Sequence, residues 1–199
     1  VKLLIYGASD FGAILKDLIV RCGHEFVGFV DDAPALASTT LGTFREVVTH
    51  YDPQYFGMVI AVGYNDLAVR WRVFRQVRTS GYPLPPLIHP EAYVHDTTAV
   101  AEGATIMARA IVDLRSRIGE ASVLWPGANV SHDTVVGPNC FLSPNCAICG
   151  FVILGHSCFI GAGAVVPDHR SVPDQTWIKA GKVWNQENAN LVSHPRSQI

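Results

Sequence analysis

From Ile88 to Ile178 an aliphatic residue recurs at every sixth position: Ile88, Val94, Val100, Ile106, Val112, Ile118, Leu124, Val130, Val136, Leu142, Ile148, Leu154, Ile160, Val166, Val172 and Ile178. Four places after each, from Ala92 to Ala164, stands a small or short residue; the series first fails at Arg170. A fixed period of six fits neither the 3.6 of an α-helix nor ordinary strand–turn spacing. It predicts a parallel β-helix of triangular section, one hexapeptide to a side and eighteen residues to a coil. The aliphatic residues point into the prism, the small ones lie where the chain turns the corner, and Val94, Val112, Val130, Ile148 and Val166 stack in one column. A single coil cannot bury its inner face, so stacking makes the core.

The first part of the chain carries a different pattern. Residues 2–7 read as a buried strand, and Gly7-Ala8-Ser9-Asp10-Phe11-Gly12 as a glycine-bounded turn. A helix of about ten residues follows, with Leu15, Leu18, Ile19 and Cys22 as its apolar stripe and Gly23 as its stop. Residues 25–30 form a second strand closed by Asp31-Asp32, and residues 57–63 a third ending in Gly63-Tyr64-Asn65. Asp66 to Arg78 reads as a helix burying Leu67, Trp71, Phe74 and Val77 or Arg78; Arg70, Arg72, Arg75 and Arg78 mostly form a solvated basic face. Pro83, Pro85 and Pro86 break regular structure. The expected division is a Rossmann-like domain over 1–84, a β-helix over 85–184 and a polar C-terminal tail over 185–199.

Composition narrows the function classes. Hydrophobic residues make up 49% of the 199 and charged ones 16%, which suits a packed core and not disorder. A net charge of −2 gives no reason to expect a nucleic-acid partner. No apolar run approaches the roughly 18 residues of a membrane span. The opening Val1-Lys2-Leu3-Leu4-Ile5-Tyr6-Gly7 reads as a strand entering a turn, and with no secretion signal the expected home is the cytoplasm. The five cysteines are expected as free thiols, with Cys140, Cys146 and Cys158 on the small position of the repeat.

Two stretches carry candidate chemistry. A glycine turn at a helix N-terminus brings backbone N–H groups to a phosphate, and a carboxylate at the end of the second strand accepts hydrogen bonds from a ribose or base. Here Ser9 stands for the middle glycine of the dinucleotide fingerprint, and a purely structural β–α turn explains the pattern as well. In the prism, His132 stands two places after the inward Val130, a position read as the middle of a flat side. An imidazole there takes a proton from an amine or hydroxyl; an ordinary surface histidine is the alternative. Asp133 is placed to orient it only if two adjacent residues share a face. No third histidine stands four or five places from His132 or His156, so no metal site is expected.

The order of these parts, Ile-Tyr-Gly-Ala-Ser, Phe-Val-Asp-Asp, Ile-Ala-Val-Gly-Tyr-Asn, then Leu-Ile-His-Pro and hexapeptides with Val130-Ser131-His132-Asp133, resembles the bacterial sugar acyltransferases of the sialic acid O-acetyltransferase and nucleotide-4-amino-sugar N-acetyltransferase type. The resemblance covers residues 2–184. It implies a left-handed β-helix, a homotrimer with active sites between subunits, and acetyl-CoA as acyl donor. It implies a nucleotide-linked amino sugar held by Ser9, Asp10, Phe11, Gly12, Asp31, Asp32, Gly63, Tyr64 and Asn65. CoA contacts are implied at Gly150, Ala162 and Lys182, with His132 as general base beside Asp133 and direct transfer to an amine. O-acetylation of a sugar acid and a non-catalytic nucleotide-sugar-binding trimer are the other readings. The chain departs from the family pattern at three places. Ser9-Asp10-Phe11-Gly12 replaces Gly-Gly-His-Gly or Ser-Gly-His-Gly, and Trp125 and Phe141 replace an asparagine and a histidine near the acyl site. Loss of those two polar groups suits a bulkier acyl chain or a drier pocket, and equally a lapsed enzyme.

Overall fold

The computed structural model describes residues 1–33 and 40–185. The expectation of a tail over 186–199 lies outside the described residues. The chain divides into two compact units: Val1–Pro90 with Glu102–Ala104, and Glu91–Ala101 with the chain from Thr105 onward.

The first unit is built on a parallel sheet of order β2-β1-β3, with β1 (Lys2–Tyr6) central between β2 (Glu25–Val30) and β3 (Phe56–Ile60). A central parallel strand is covered on both faces, so it reads as an unbroken apolar run, and Leu3, Leu4 and Ile5 are fully buried. Helix α1 (Asp10–Arg21) starts inside the glycine-bounded segment, so Gly12 lies in its first turn; it buries Leu15, Leu18 and Ile19. A further helix, α2 (Phe44–His50), was not anticipated. Thr43 caps it in a reciprocal capping box with Glu46. Helix α3 (Leu67–Thr79) corrects the expected buried face. Its buried stripe is Arg70, Val73, Phe74 and Val77, while Leu67 and Trp71 are half-buried. Arg70 is no solvated side chain. Its Nη1 donates to the carbonyls of Ile60 at 3.0 Å and Val62 at 2.7 Å, which ties the end of β3 to α3. Burial pulls its pKa down to about 10, leaving it charged at neutral pH.

The second unit is the hexapeptide prism. After β4 (Leu87–Ile88), which falls in the first unit, fifteen two-residue strands, β5 (Tyr93–Val94) to β19 (Trp177–Ile178), wind through three parallel sheets. One side is β5-β8-β11-β14-β17, the next β6-β9-β12-β15-β18 and the third β7-β10-β13-β16-β19. Val130 pairs with Val112 above and Ile148 below, as the eighteen-residue coil requires. From Ile106 to Ile178 every sixth aliphatic side chain is buried; Val94 and Val100, in the first coil, are only half-buried. Each such residue removed from water contributes about 1.5–3 kcal/mol.

The corners have one conformation. The third residue after each inward aliphatic, from Gly103 to Gly181, takes a left-handed φ of 54° to 72° whatever its type. The small residue follows this turn, and its side chain faces the interior rather than forming the corner. That explains why serine and threonine are tolerated there at almost no exposure. Ser116, Ser122 and Thr134 donate to the carbonyls of Ser131, Gly137 and Cys149, each at 2.8 Å. Buried hydroxyls are thus satisfied by the next coil. Cys140 Sγ does the same toward the Gly155 carbonyl at 3.1 Å, and burial pushes the Cys146 thiol up to about 12. Among the described residues no helix is long and apolar enough to cross a membrane.

Candidate active site

His132 and Asp133 form the turn between β11 (Asn129–Val130) and β12 (Val135–Val136), which lie on different sides of the prism. His132 is therefore at a corner and not on a flat side. Only two residues of each six are extended, so two places after an inward residue the chain is already turning. The left-handed φ of Asp133, 56°, also removes the alternation expected of a strand. The two side chains meet: His132 Nδ1 lies 2.9 Å from Asp133 Oδ2. With the carboxylate accepting from Nδ1–H, the lone pair on Nε2 is the one available to a substrate proton. The imidazole is 42% exposed.

Arg115, at the same corner one coil earlier, completes the group. Its Nε donates to Asp133 Oδ1 at 2.7 Å and its Nη2 to Asp133 Oδ2 at 2.8 Å. This two-pronged contact, and then the bond to His132, hold the Asp133 carboxyl well below the usual carboxylate range. Asp133 thus stays ionised through any pH at which His132 can act as a base.

The coil below shapes the space around the ring. A Cβ built at Gly150 would lie 2.9 Å from His132 Cε1 and 3.1 Å from Nε2. The missing side chain makes room for the imidazole. We expect Gly150→Ala to displace the ring and lower turnover about tenfold or more. Because the clash is with a movable side chain, stability should change by no more than about 0.5 kcal/mol. Parallel rate and urea-unfolding measurements check both. Phe151 follows at φ 57° and is 48% exposed. Its ring meets His132 edge-to-face at 5.2 Å and stacks on His169 at 4.6 Å. Arg115, Phe151 and His169 were missed at the sequence level. The signal available was a step of eighteen along the chain, which links Arg115, Asp133, Phe151 and His169 in turn.

Known proteins share this layout. A family model described as the PglD N-terminal domain matches residues 2–77, and one described as bacterial transferase hexapeptide (six repeats) matches residues 133–168. A GDP-perosamine N-acetyltransferase of Escherichia coli O157:H7 is 28% identical over 186 residues, 87% of this chain and 80% of that one. PerB from Caulobacter crescentus, solved in complex with CoA and GDP-perosamine, superposes with a TM-score of 0.85 at 28% identity, over 93% of this chain and 89% of that one. The acetyltransferase domain of PglB from Neisseria gonorrhoeae FA1090, in complex with acetyl coenzyme A, gives 0.84 at 26% identity, over 92% and 90%. Over both parts the chain is similar to sugar acyltransferases built on hexapeptide repeats.

Within that family frame, the other candidate residues fall in three places. Gly150 stands beside His132, whereas Ala162 and Lys182 gather at a different corner. There Gly181 N donates to the Ala162 carbonyl at 2.8 Å and Val165 N to that of Lys182 at 2.9 Å. Trp125 and Phe141 form one aromatic contact, centroids 6.0 Å apart, on the side built from β7, β10, β13, β16 and β19. Within one chain they do not border the His132 corner.

In the first unit, Ser9 is the N-cap of α1 and leads into Asp10 and Phe11. Asp31 and Asp32, assigned to ribose or base, are tied into their own chain. Asp31 accepts from Ala8 N at 2.9 Å and Ala33 N at 2.8 Å; Asp32 accepts from Tyr6 Oη and from Phe44 N, the latter at 2.8 Å. Burial, then Asp32, drives the Tyr6 pKa upward. Gly63 and Tyr64-Asn65 lead from β3 through a 3₁₀ turn, Tyr64–Asp66, into α3. Among the described residues no three of His, Cys, Asp and Glu gather to hold a metal ion.

Proposed function

We propose that this chain transfers an acetyl group from acetyl-CoA to the amino group of a nucleotide-linked amino sugar, with His132 as general base. The carrying observation is the Arg115–Asp133–His132 group: an ionised carboxylate fixes one imidazole nitrogen, Nδ1, and leaves the lone pair of Nε2 for a substrate proton. The relatives named for perosamine N-acetylation and the bound CoA, GDP-perosamine and acetyl coenzyme A supply the substrate class.

The amine nitrogen attacks the thioester carbonyl. The new C–N bond forms as Nε2 takes the amine proton, and the C–S bond then breaks. The proton passes to the departing sulfur, so CoA leaves as the thiol and the imidazole returns to its starting state. No covalent enzyme intermediate is needed, because the thioester is already activated. Asp133 stabilises the imidazolium while it exists. A backbone N–H near Gly150 serves the developing oxyanion.

Residues 1–84 hold the nucleotide sugar, with Ser9, Asp10, Phe11 and Gly12 at the phosphates and Gly63, Tyr64 and Asn65 beside them. Asp31 and Asp32 shape that loop and present their remaining lone pairs to the ribose or base. Residues 85–184 carry the donor through Gly150, Ala162 and Lys182. The working form is a homotrimer, acting in the cytoplasm. Calorimetry with acetyl-CoA and with a panel of nucleotide sugars tests the two sites separately. Binding of both, followed by thiol release when they are combined, is expected. Binding of a nucleotide sugar with no affinity for CoA would replace this reading by a non-catalytic binding protein.

A further inference from the structure

We propose that Arg115 is a positioning residue for His132, acting through Asp133: it fixes the carboxylate and offsets its charge, keeping the imidazole ready to accept a proton. This rests on the reading of His132 as the base.

The geometry is specific. Arg115 and Asp133 occupy the same place in consecutive coils, both at left-handed φ, 57° and 56°. Their turns are tied by backbone bonds, Asp133 N to the Leu114 carbonyl at 3.0 Å, and Asp113 N to the Val130 carbonyl at 2.9 Å. The guanidinium fork meets both carboxylate oxygens, and Oδ2 is shared between Nη2 of Arg115 and Nδ1 of His132. An exposed arginine–carboxylate pair contributes little to stability. Its effect here is local: a carboxylate held from one side by a cation turns one defined oxygen to the imidazole. The same carboxylate without its cation would favour the imidazolium and leave less free base.

Asp113 lies next to Arg115 in the coil above. Below, Phe151 is uncharged and separates His132 from His169, which pairs with Asp168 at 3.9 Å.

The sign of the effect follows. Removing the positive charge lowers the cost of protonating His132, so its midpoint rises. For one charge acting over several ångströms of partly aqueous surroundings, the rise is roughly half to one pH unit. The test is NMR titration of the His132 imidazole C–H signals, assigned by their loss in His132→Ala, in the full-length chain. Arg115→Gln, which keeps a donor for Asp133 but no charge, should raise the midpoint by that amount. Arg115→Lys, which keeps the charge, should hold it within about 0.2 of the unaltered protein. No change or a fall in Arg115→Gln, or an equal rise in both variants, overturns the proposal. Where acetyl-CoA turnover is measured, the acid limb of the rate profile should move with the NMR midpoint; a purely structural role would lower turnover equally at every pH. Failure of the base assignment looks different, as retained turnover in His132→Ala whatever Arg115 does.

Discussion

Replacing His132 by alanine is expected to lower acetyl-CoA-dependent turnover by about 10²–10⁴, the range for losing a positioned general base. Binding should change much less. The thioester and the nucleotide are recognised by groups spread over the chain, and His132 contacts mainly the proton in flight. The loss should therefore fall on kcat, with KM for acetyl-CoA moving less than about threefold. Stability should be nearly unchanged: the imidazole is exposed, and among the described residues its ring is held by Asp133 and the edge of Phe151. Asp133→Asn should give an intermediate loss, since an amide can still orient Nδ1–H through its oxygen but cannot stabilise the imidazolium by charge. A His132→Ala protein that retains more than about a third of the original rate would remove the base from this corner altogether.

The sixfold series made the second unit legible because one geometric constraint acts at every coil: the aliphatic must point in and the small residue must fit behind it. The corners were less legible. Left-handed φ there is carried by Arg115, Asp133, Asn139, Phe151 and His169, residue types with no common feature, so composition gives no mark of the turn. Reading His132 on a flat side and Asp133 on the opposite face both followed from applying strand alternation where the chain is turning. Arg115 escaped notice for the same reason, since its relation to Asp133 exists only between coils.

In the first unit the sheet and α1 followed from apolar runs and helical spacing. Helix α2 was marked by Thr43 and Glu46, a capping-box spacing that its short, weakly apolar body obscured. Arg70 broke the usual rule that arginines face water, because the carbonyls of Ile60 and Val62 at the end of β3 require a donor that only the folded chain brings near. Asp31 and Asp32 looked like ligand groups for the converse reason: sequence shows carboxylates, but not the backbone N–H groups of Ala8, Ala33 and Phe44 that reach them.

A large loss of stability from a one-carbon change is expected at Gly137. It follows the inward Val136, and its backbone N–H donates to the Leu154 carbonyl at 3.0 Å. A Cβ there would lie 2.5 Å from the Gly155 carbonyl oxygen, 2.7 Å from its carbon and 2.8 Å from the Leu154 oxygen. Every one of these atoms is backbone, and Gly155 N is itself bound to the Val172 carbonyl at 2.9 Å. No rotamer change relieves the contact; the coils must separate by most of an ångström and lengthen the bonds between them. Gly137→Ala should cost about 3 kcal/mol, the upper part of the range for overpacking. That corresponds to a fall of roughly 6–12 °C in the unfolding midpoint for a chain of this size. Gly163→Ala is the informative control. Its added Cβ would meet nothing within 4 Å, and only its φ of 63° opposes it, so about 1 kcal/mol is expected. Equal losses in the two variants would mean that the turn conformation, rather than the spacing between coils, limits what the prism can hold.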